Sequence, residues 1–199
     1  MKLLLHARRF TRVLAMAITL SVSTGGVLAH EGEQHPDAMS PSLQGLKGKE
    51  FESMFLKEMM HHHESAVEMA KLATTNTKRA ELNKFGNDII TAQKAEIDQM
   101  KDWLKKDGES AGSMKEMPGM EKMMSEMERL KKAKDAEFDK MFLSMMSEHH
   151  QGAVAMSKLV ADRTDRAEVK EFANKIIKDQ SKEIEQMKSW EKAWFGSGH

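Results

Sequence analysis

Residues 51–72 read FESMFLKEMMHHHESAVEMAKL, and residues 138–159 read FDKMFLSMMSEHHQGAVAMSKL. These stretches begin a longer match, in which residues 51–105 align with residues 138–192 without a gap and about half of the positions are identical. Chance does not produce a match of this length, so the chain contains a duplicated unit.

Each repeat has the periodicity of two helices. In the first repeat, residues 50–73 and residues 79–106 each place their apolar side chains on one stripe at a 3.6-residue period. The polar break at residues 74–77 is so short that the two helices must form an antiparallel hairpin. Two hairpins with one apolar stripe each bury those stripes against each other, which predicts an all-α fold and a four-helix bundle.

The repeats are predicted to form a single domain over residues 49–199. The first repeat covers residues 49–106 and the second covers residues 135–195, with a methionine-rich linker over residues 107–134. Gly, Ser and Pro mark the first half of this linker as a loop, and residues 120–132 have the pattern of a short added helix.

The N-terminus predicts export. Residues 1–29 have a basic start, a short uncharged apolar run and small residues up to Ala29, which is the pattern of a cleaved secretory signal. We therefore expect a periplasmic or secreted protein with a flexible leader over residues 30–48 and no stable membrane insertion after cleavage near Ala29. The 31 basic and 31 acidic residues balance, which argues against a nucleic-acid partner.

The first helix of each repeat carries two adjacent histidines that follow a methionine. His62 and His63 recur as His149 and His150, on the inward side of the helix. Thioether sulfur prefers Cu(I), whereas imidazole accepts Cu(I) or Cu(II). The chain has 19 methionines and no cysteine, so its soft donors are thioethers, which bind without losing a proton. The predicted copper ligands within the repeats are Met59, His62, His63, Met69, Met100, Met146, His149, His150, Met156 and Met187.

The linker and the leader provide further candidate ligands. Methionines recur in the linker, mostly three residues apart, and a loop offers no core for them to fill. The linker is therefore predicted to be a flexible arm that collects Cu(I), with low-complexity composition as the alternative explanation. Its methionines are Met114, Met117, Met120, Met123, Met124 and Met127, of which Met117, Met120 and Met123 are the candidate ligands. Cleavage after Ala29 would leave His30 as the new N-terminus, where its amine and imidazole would chelate Cu(II) together.

Several of these motifs resemble a known family. They are the Met-His clusters within residues 59–69 and 145–156, the Met-Pro-Gly-Met at residues 117–120, and the Gln-x-x-Glu-Ile-x-x-Met stretches that begin at Gln93 and Gln180. Through these motifs the chain resembles the family called domain of unknown function 305. The resemblance covers nearly all of the mature chain. The resemblance implies a ferritin-like four-helix bundle in the bacterial periplasm, with the copper binding and copper resistance found in some members.

These features predict a copper-binding protein rather than an enzyme. It would sequester or carry Cu(I), with Cu(II) as a second candidate ion, and its partners would be copper ions and other periplasmic copper-handling proteins. A di-iron oxidase needs Glu-x-x-His on two helices, and the second repeat breaks the spacing of Glu58 and His61 by placing Met145 and Glu148 there. A periplasmic chaperone with a methionine-rich client surface is a third alternative.

Overall fold

A computed structural model describes residues 41–110, 112 and 120–196, without the side chains of residues 120–123. Over these residues the protein is all-helical, which confirms the predicted fold class. The α-helices are α1 (Gly48–Asn76), α2 (Ala80–Lys106), α3 (Met120–Lys132), α4 (Asp135–Lys158) and α5 (Ala167–Phe195). Short 3₁₀ helices occupy Pro41–Leu43 and Leu159–Asp162. The expected signal peptide, His30 and Met117 lie outside the described residues.

The two repeats form two hairpins, α1 with α2 and α4 with α5. Helix α1 continues to Asn76, so the break is shorter than the polar residues at 74–77 indicate. The reason is a tertiary contact, because the buried Asn76 amide donates to the main-chain oxygens of Lys131 and Ala133, each at 3.3 Å, where α3 ends. Within the described part of the chain, no helix is long and apolar enough to cross a membrane.

Two apolar clusters fill the interior, one towards each end of α1 and α4. The first cluster contains Phe51 and Phe55 from the start of α1, together with residues from the end of α4. The second cluster contains the matching Phe138 and Phe142 from the start of α4, together with residues from the end of α1. Helices α1 and α4 therefore pack against each other in opposite directions. Each cluster combines the start of one of these helices with the end of the other.

The segments that precede α1 and α4 cover equivalent positions. Leu43 is fully buried in the first cluster and Leu130, near the end of α3, is fully buried in the second. The spacing that relates Phe51 to Phe138 also relates Leu43 to Leu130. The duplicated unit therefore extends upstream of α1, and the described end of the segment interpreted as a leader packs on the bundle.

Equivalent arginines join one hairpin to the other. Arg79, just before α2, donates to Asp139 of α4 at 3.1 Å. Arg166, just before α5, lies 3.7 Å from the carboxylate of Glu52 on α1. Asp139 and Glu52 occupy the same position in the two repeats and both are buried, so each pair fixes a hairpin end against the other hairpin. This arrangement holds the middle of α1 against the middle of α4.

Candidate metal centre

Four histidines meet where α1 and α4 cross, between the two apolar clusters. His62 and His149 face each other across the crossing, with ring centroids 3.7 Å apart. His63 and His150 are fully buried, and His62 and His149 are both half-buried. The equivalent histidines of the two repeats therefore lie at equivalent depths, as their helical positions predict.

The Nε2 atom of three of these histidines has a fixed partner. His63 Nε2 lies 2.9 Å from the carboxylate of Glu96 on α2, and His150 Nε2 lies 2.7 Å from that of Glu183 on α5. An ionised carboxylate only accepts hydrogen bonds, so Nε2 carries a proton in both histidines, and in the neutral ring Nδ1 is the atom with the lone pair. This is the arrangement in which metal-binding histidines are commonly held, because the carboxylate fixes the tautomer and the ring orientation.

A hydroxyl group is the hydrogen-bond partner of His149 Nε2. The Ser65 hydroxyl donates to the main-chain oxygen of His62 at 2.8 Å, and its oxygen lies 2.7 Å from His149 Nε2. When the hydroxyl hydrogen is donated to His62, the Ser65 oxygen accepts from His149 Nε2–H, and Nδ1 of the neutral His149 ring then carries a lone pair. Gly152 occupies the position of Ser65 in the second repeat, and a Cβ there would lie 3.2 Å from His62 Nε2.

The Nδ1 atoms of all four histidines are buried without a hydrogen-bond partner among the described residues. A buried polar atom left unpaired costs about 1–3 kcal/mol, and here the same atom is unpaired four times, in both repeats. The side-chain oxygens of Gln93 and Gln180, which are also equivalent, are buried and unpaired as well. The centre therefore presents four buried imidazole nitrogen atoms that the folded protein itself does not use.

Glu96 is held more firmly than its counterpart Glu183. Lys175 of α5 lies 2.6 Å from the second oxygen of Glu96, whose side chain is 9% exposed, whereas that of Glu183 is 25% exposed. Burial raises the pKa of Glu96, but the hydrogen bonds from His63 and Lys175 outweigh it, so the net pKa is lowered. The carboxylate that orients His63 is therefore ionised and clamped from both hairpins.

The half-buried pair of imidazoles, His62 and His149, resists protonation. Burial, followed by the charges that His63 and His150 would carry, lowers the pKa of His62 to about 3. The same causes, burial first and then the neighbouring imidazoles, lower the pKa of His149 well below its ordinary value. Both rings are consequently neutral, with lone pairs available, far into the acid range.

The six methionines predicted in the repeats lie in the apolar clusters on either side of the histidines. The first cluster contains Met59, Met100 and Met156, and the second contains Met69, Met146 and Met187. None of the six is more than 5% exposed. These side chains therefore pack the core, and one of them, Met69, lines the same cavity as His62 and His149.

The other predicted ligands have no described side-chain position. Met120 and Met123 lie on α3 without described side chains, and Met117 and His30 fall outside the described residues. Glu58 and His61, which have the spacing of a di-iron site, contact different partners. Glu58 bonds Ser42, and His61 lies 3.0 Å from Glu64. Among the described residues no group of three His, Asp or Glu side chains is placed to hold a metal ion.

The comparisons agree with the duplicated unit. The model of the family described as domain of unknown function (DUF305) matches residues 22–104 and again residues 105–191. No curated protein matches the chain. CopM in the Cu(I)-bound form is 32% identical with a TM-score of 0.64, covering 73% of this chain and 98% of CopM.

Two further solved structures show the same likeness. CopM in the Cu(II)-bound form is 33% identical with a TM-score of 0.60, covering 72% of this chain and 98% of CopM. A DUF305 fragment from Deinococcus radiodurans is 29% identical with a TM-score of 0.63, covering 69% of this chain and 93% of that fragment. Since the family model matches both repeats over most of the sequence, this chain belongs to the DUF305 family.

Proposed function

We propose that this protein binds copper, chiefly Cu(I), at the four imidazoles where α1 crosses α4. The observation that carries the proposal is the set of four buried Nδ1 atoms without hydrogen-bond partners, in His62, His63, His149 and His150. Evolution of a core normally removes such atoms, because they destabilise the fold. Copper ions that bind these nitrogen atoms, no more than two of them to one ion, convert this cost into binding energy.

The surroundings of the four imidazoles favour Cu(I) over harder ions. The donors are neutral nitrogen atoms, and the neighbouring side chains are thioethers, of which we propose Met59 and Met146 as additional ligands. Cu(I) accepts low coordination numbers, so it needs no cluster of three imidazole or carboxylate ligands. Two carboxylates, Glu96 and Glu183, offset the charge of the ion through the rings that they orient.

The biological role that we propose is to sequester or carry copper outside the cytoplasm, as part of copper resistance or homeostasis. The support is the pattern of an export signal over residues 1–29 and the similarity to CopM, a protein solved in Cu(I)-bound and Cu(II)-bound forms. Other periplasmic copper-handling proteins are the proposed donors and acceptors. The linker methionines Met117, Met120 and Met123, and His30, are proposed as secondary copper ligands.

Competition titration of the mature protein tests the proposed function. We expect Cu(I) to bind at least about a thousandfold more tightly than Zn(II), because thioethers add little to zinc affinity and the centre offers no thiolate. The measurement is the dissociation constant for each ion against a chromophoric chelator, without oxygen for Cu(I). Equal affinities for the two ions, or no tight Cu(I) binding, would refute the proposal.

Replacing Glu96 with Gln should weaken Cu(I) binding by about ten- to a hundredfold, the usual effect of removing a carboxylate that orients a histidine ligand. Gln keeps the shape of Glu96 but loses the charge that holds His63 Nε2–H and Lys175. The same titration measures the change. Glu64→Gln is the matched control, since Glu64 pairs with His61, which we do not propose as a ligand. A Glu96→Gln affinity equal to that of Glu64→Gln would remove Glu96 from the centre.

A further inference from the structure

A cavity of about 160 Å³ opens onto the His62–His149 pair from the side of α3. Its walls come from three helices, α1, α3 and α4. Three of the lining residues are methionines, one from each helix: Met69, Met127 and Met145. The cavity therefore combines thioethers from separate elements with the two imidazoles that face each other at the crossing.

The methionines near this cavity range from buried on α1 to exposed on α3. Met69 is 3% exposed, Met127 and Met145 are half-buried, and Met124 is 62% exposed. Met124 lies one turn before Met127 on α3, and it is the only large apolar side chain that is exposed among the described residues. Thioethers are thus present from the solvent-facing side of α3 to the wall of the imidazole pair.

The rim of the cavity is acidic. Glu126 and Glu148 line it, and the described lining residues include neither lysine nor arginine. Carboxylates at the mouth of a cleft raise the local concentration of cations and speed their arrival. The cavity therefore has the charge that a route for a metal cation requires, and its sulfur atoms select for a soft one.

The first repeat has different residues at the positions that supply the thioether and the carboxylate of α4 to this cavity. At the positions of Met145 and Glu148 the first repeat has Glu58 and His61. Glu58 is buried and bonded to Ser42, and His61 pairs with Glu64. The thioether and the carboxylate of α4 are therefore present on one side of the α1–α4 crossing only, and this is the side that α3 covers.

We propose that Met69, Met127 and Met145 form a second Cu(I) site, through which the ion enters and leaves the imidazole pair. This site rests on the proposed function, because it delivers copper to His62 and His149. Binding is weaker here than at the imidazoles, since Met127 and Met145 are half-buried and must be ordered when the ion arrives. Low affinity and fast exchange are the properties that an entry site needs.

The test uses Met127→Leu/Met145→Leu, a pair of substitutions that nearly conserve volume and remove both sulfur atoms. Met141→Leu is the matched control, because Met141 is a half-buried methionine one turn before Met145 that does not line the cavity. Cu(I) is supplied as a chromophoric chelator complex in stopped flow. We expect loading of the double variant to be about tenfold slower than that of the control.

The methionine methyl signals in NMR provide the second measurement. On addition of Cu(I) to the otherwise unaltered protein, the Met127 and Met145 methyl signals should shift and the Met141 signal should not. Unshifted Met127 and Met145 signals, or equal loading rates for the double variant and the control, would overturn the entry site. Either result together with tight Cu(I) binding would leave the proposed function standing, whereas absence of tight binding would refute that function directly.

Discussion

Replacing both His62 and His149 with leucine is expected to lower Cu(I) affinity by about a thousandfold, since losing two ligands costs more than the 10- to 100-fold for an outer-shell partner. The metal-free protein should at the same time become more stable, by about 1 kcal/mol, because two unpaired Nδ1 atoms leave the interior. Ser65 keeps its hydrogen bond to the main-chain oxygen of residue 62, so no polar group is newly orphaned. Competition titration and denaturant unfolding without copper measure the two changes.

A loss of Cu(I) affinity together with a gain in stability of the metal-free protein distinguishes a metal ligand from a structural histidine. A structural histidine makes hydrogen bonds that its replacement loses, so the metal-free protein would be destabilised. His61→Leu is the matched control, since His61 is adjacent in α1 and pairs with Glu64 at 3.0 Å. It should lower stability and leave Cu(I) affinity unchanged. If the His62→Leu/His149→Leu protein were less stable and bound Cu(I) as before, the centre would have to be placed elsewhere.

The depth of the histidines could be predicted from the sequence because it follows from helical period alone. One turn of α-helix separates His62 from Met59 and from Ala66, so the stripe that buries these apolar residues also faces His62 inward. The duplication then predicts the same depth for His149. Both inferences use only local geometry, which a single sequence contains.

The partners of the histidines depend on contacts that helical period does not determine. The sequence indicates that Glu96 lies on the inner face of α2, but its pairing with His63 depends on how the two helices of the hairpin are aligned. The clamp from Lys175 comes from the other hairpin and has no counterpart, because Asp88 occupies the equivalent position of the first repeat. Tertiary packing of this kind overrides what either repeat predicts by itself.

The sequence predicts the burial of the methionines but not which of them are ligands. Their burial at core positions follows from the pattern, and Met59, Met100, Met146 and Met187 are all fully buried. A buried thioether fills a core and binds a soft ion by the same polarisability, so periodicity does not distinguish the two roles. Met145 was not predicted as a ligand because its equivalent is Glu58, and only the position of α3 places it beside a cavity.

Cu(I) affinity should change by less than about threefold between pH 7 and pH 5, because the imidazole pair does not take up protons in this range. Burial and the neighbouring imidazoles lower the pKa of His62 to about 3 and the pKa of His149 well below the ordinary 6.5. Two histidines with ordinary pKa values would become mostly protonated at pH 5 and lose affinity by roughly a hundredfold or more. Titration at several pH values, corrected for protonation of the competing chelator, measures the difference.

The stability of the metal-free protein should fall over the same pH range, although the Cu(I) affinity does not change. The unfolded chain binds protons at His62 and His149 near pH 6.5, whereas the folded protein does not bind them until about pH 3 at His62. The stability of the metal-free protein is therefore complete above pH 6.5 and falls as the pH decreases towards 3. Cu(I) binds only the folded form with an affinity that does not change, so both forms should lose stability equally and the difference in unfolding free energy between copper-loaded and metal-free protein should stay the same from pH 7 to pH 5. A difference that narrows, together with an affinity that falls a hundredfold, would show that the imidazoles at the copper site titrate with ordinary pKa values, which would contradict the assignment of the site to the His62–His149 pair.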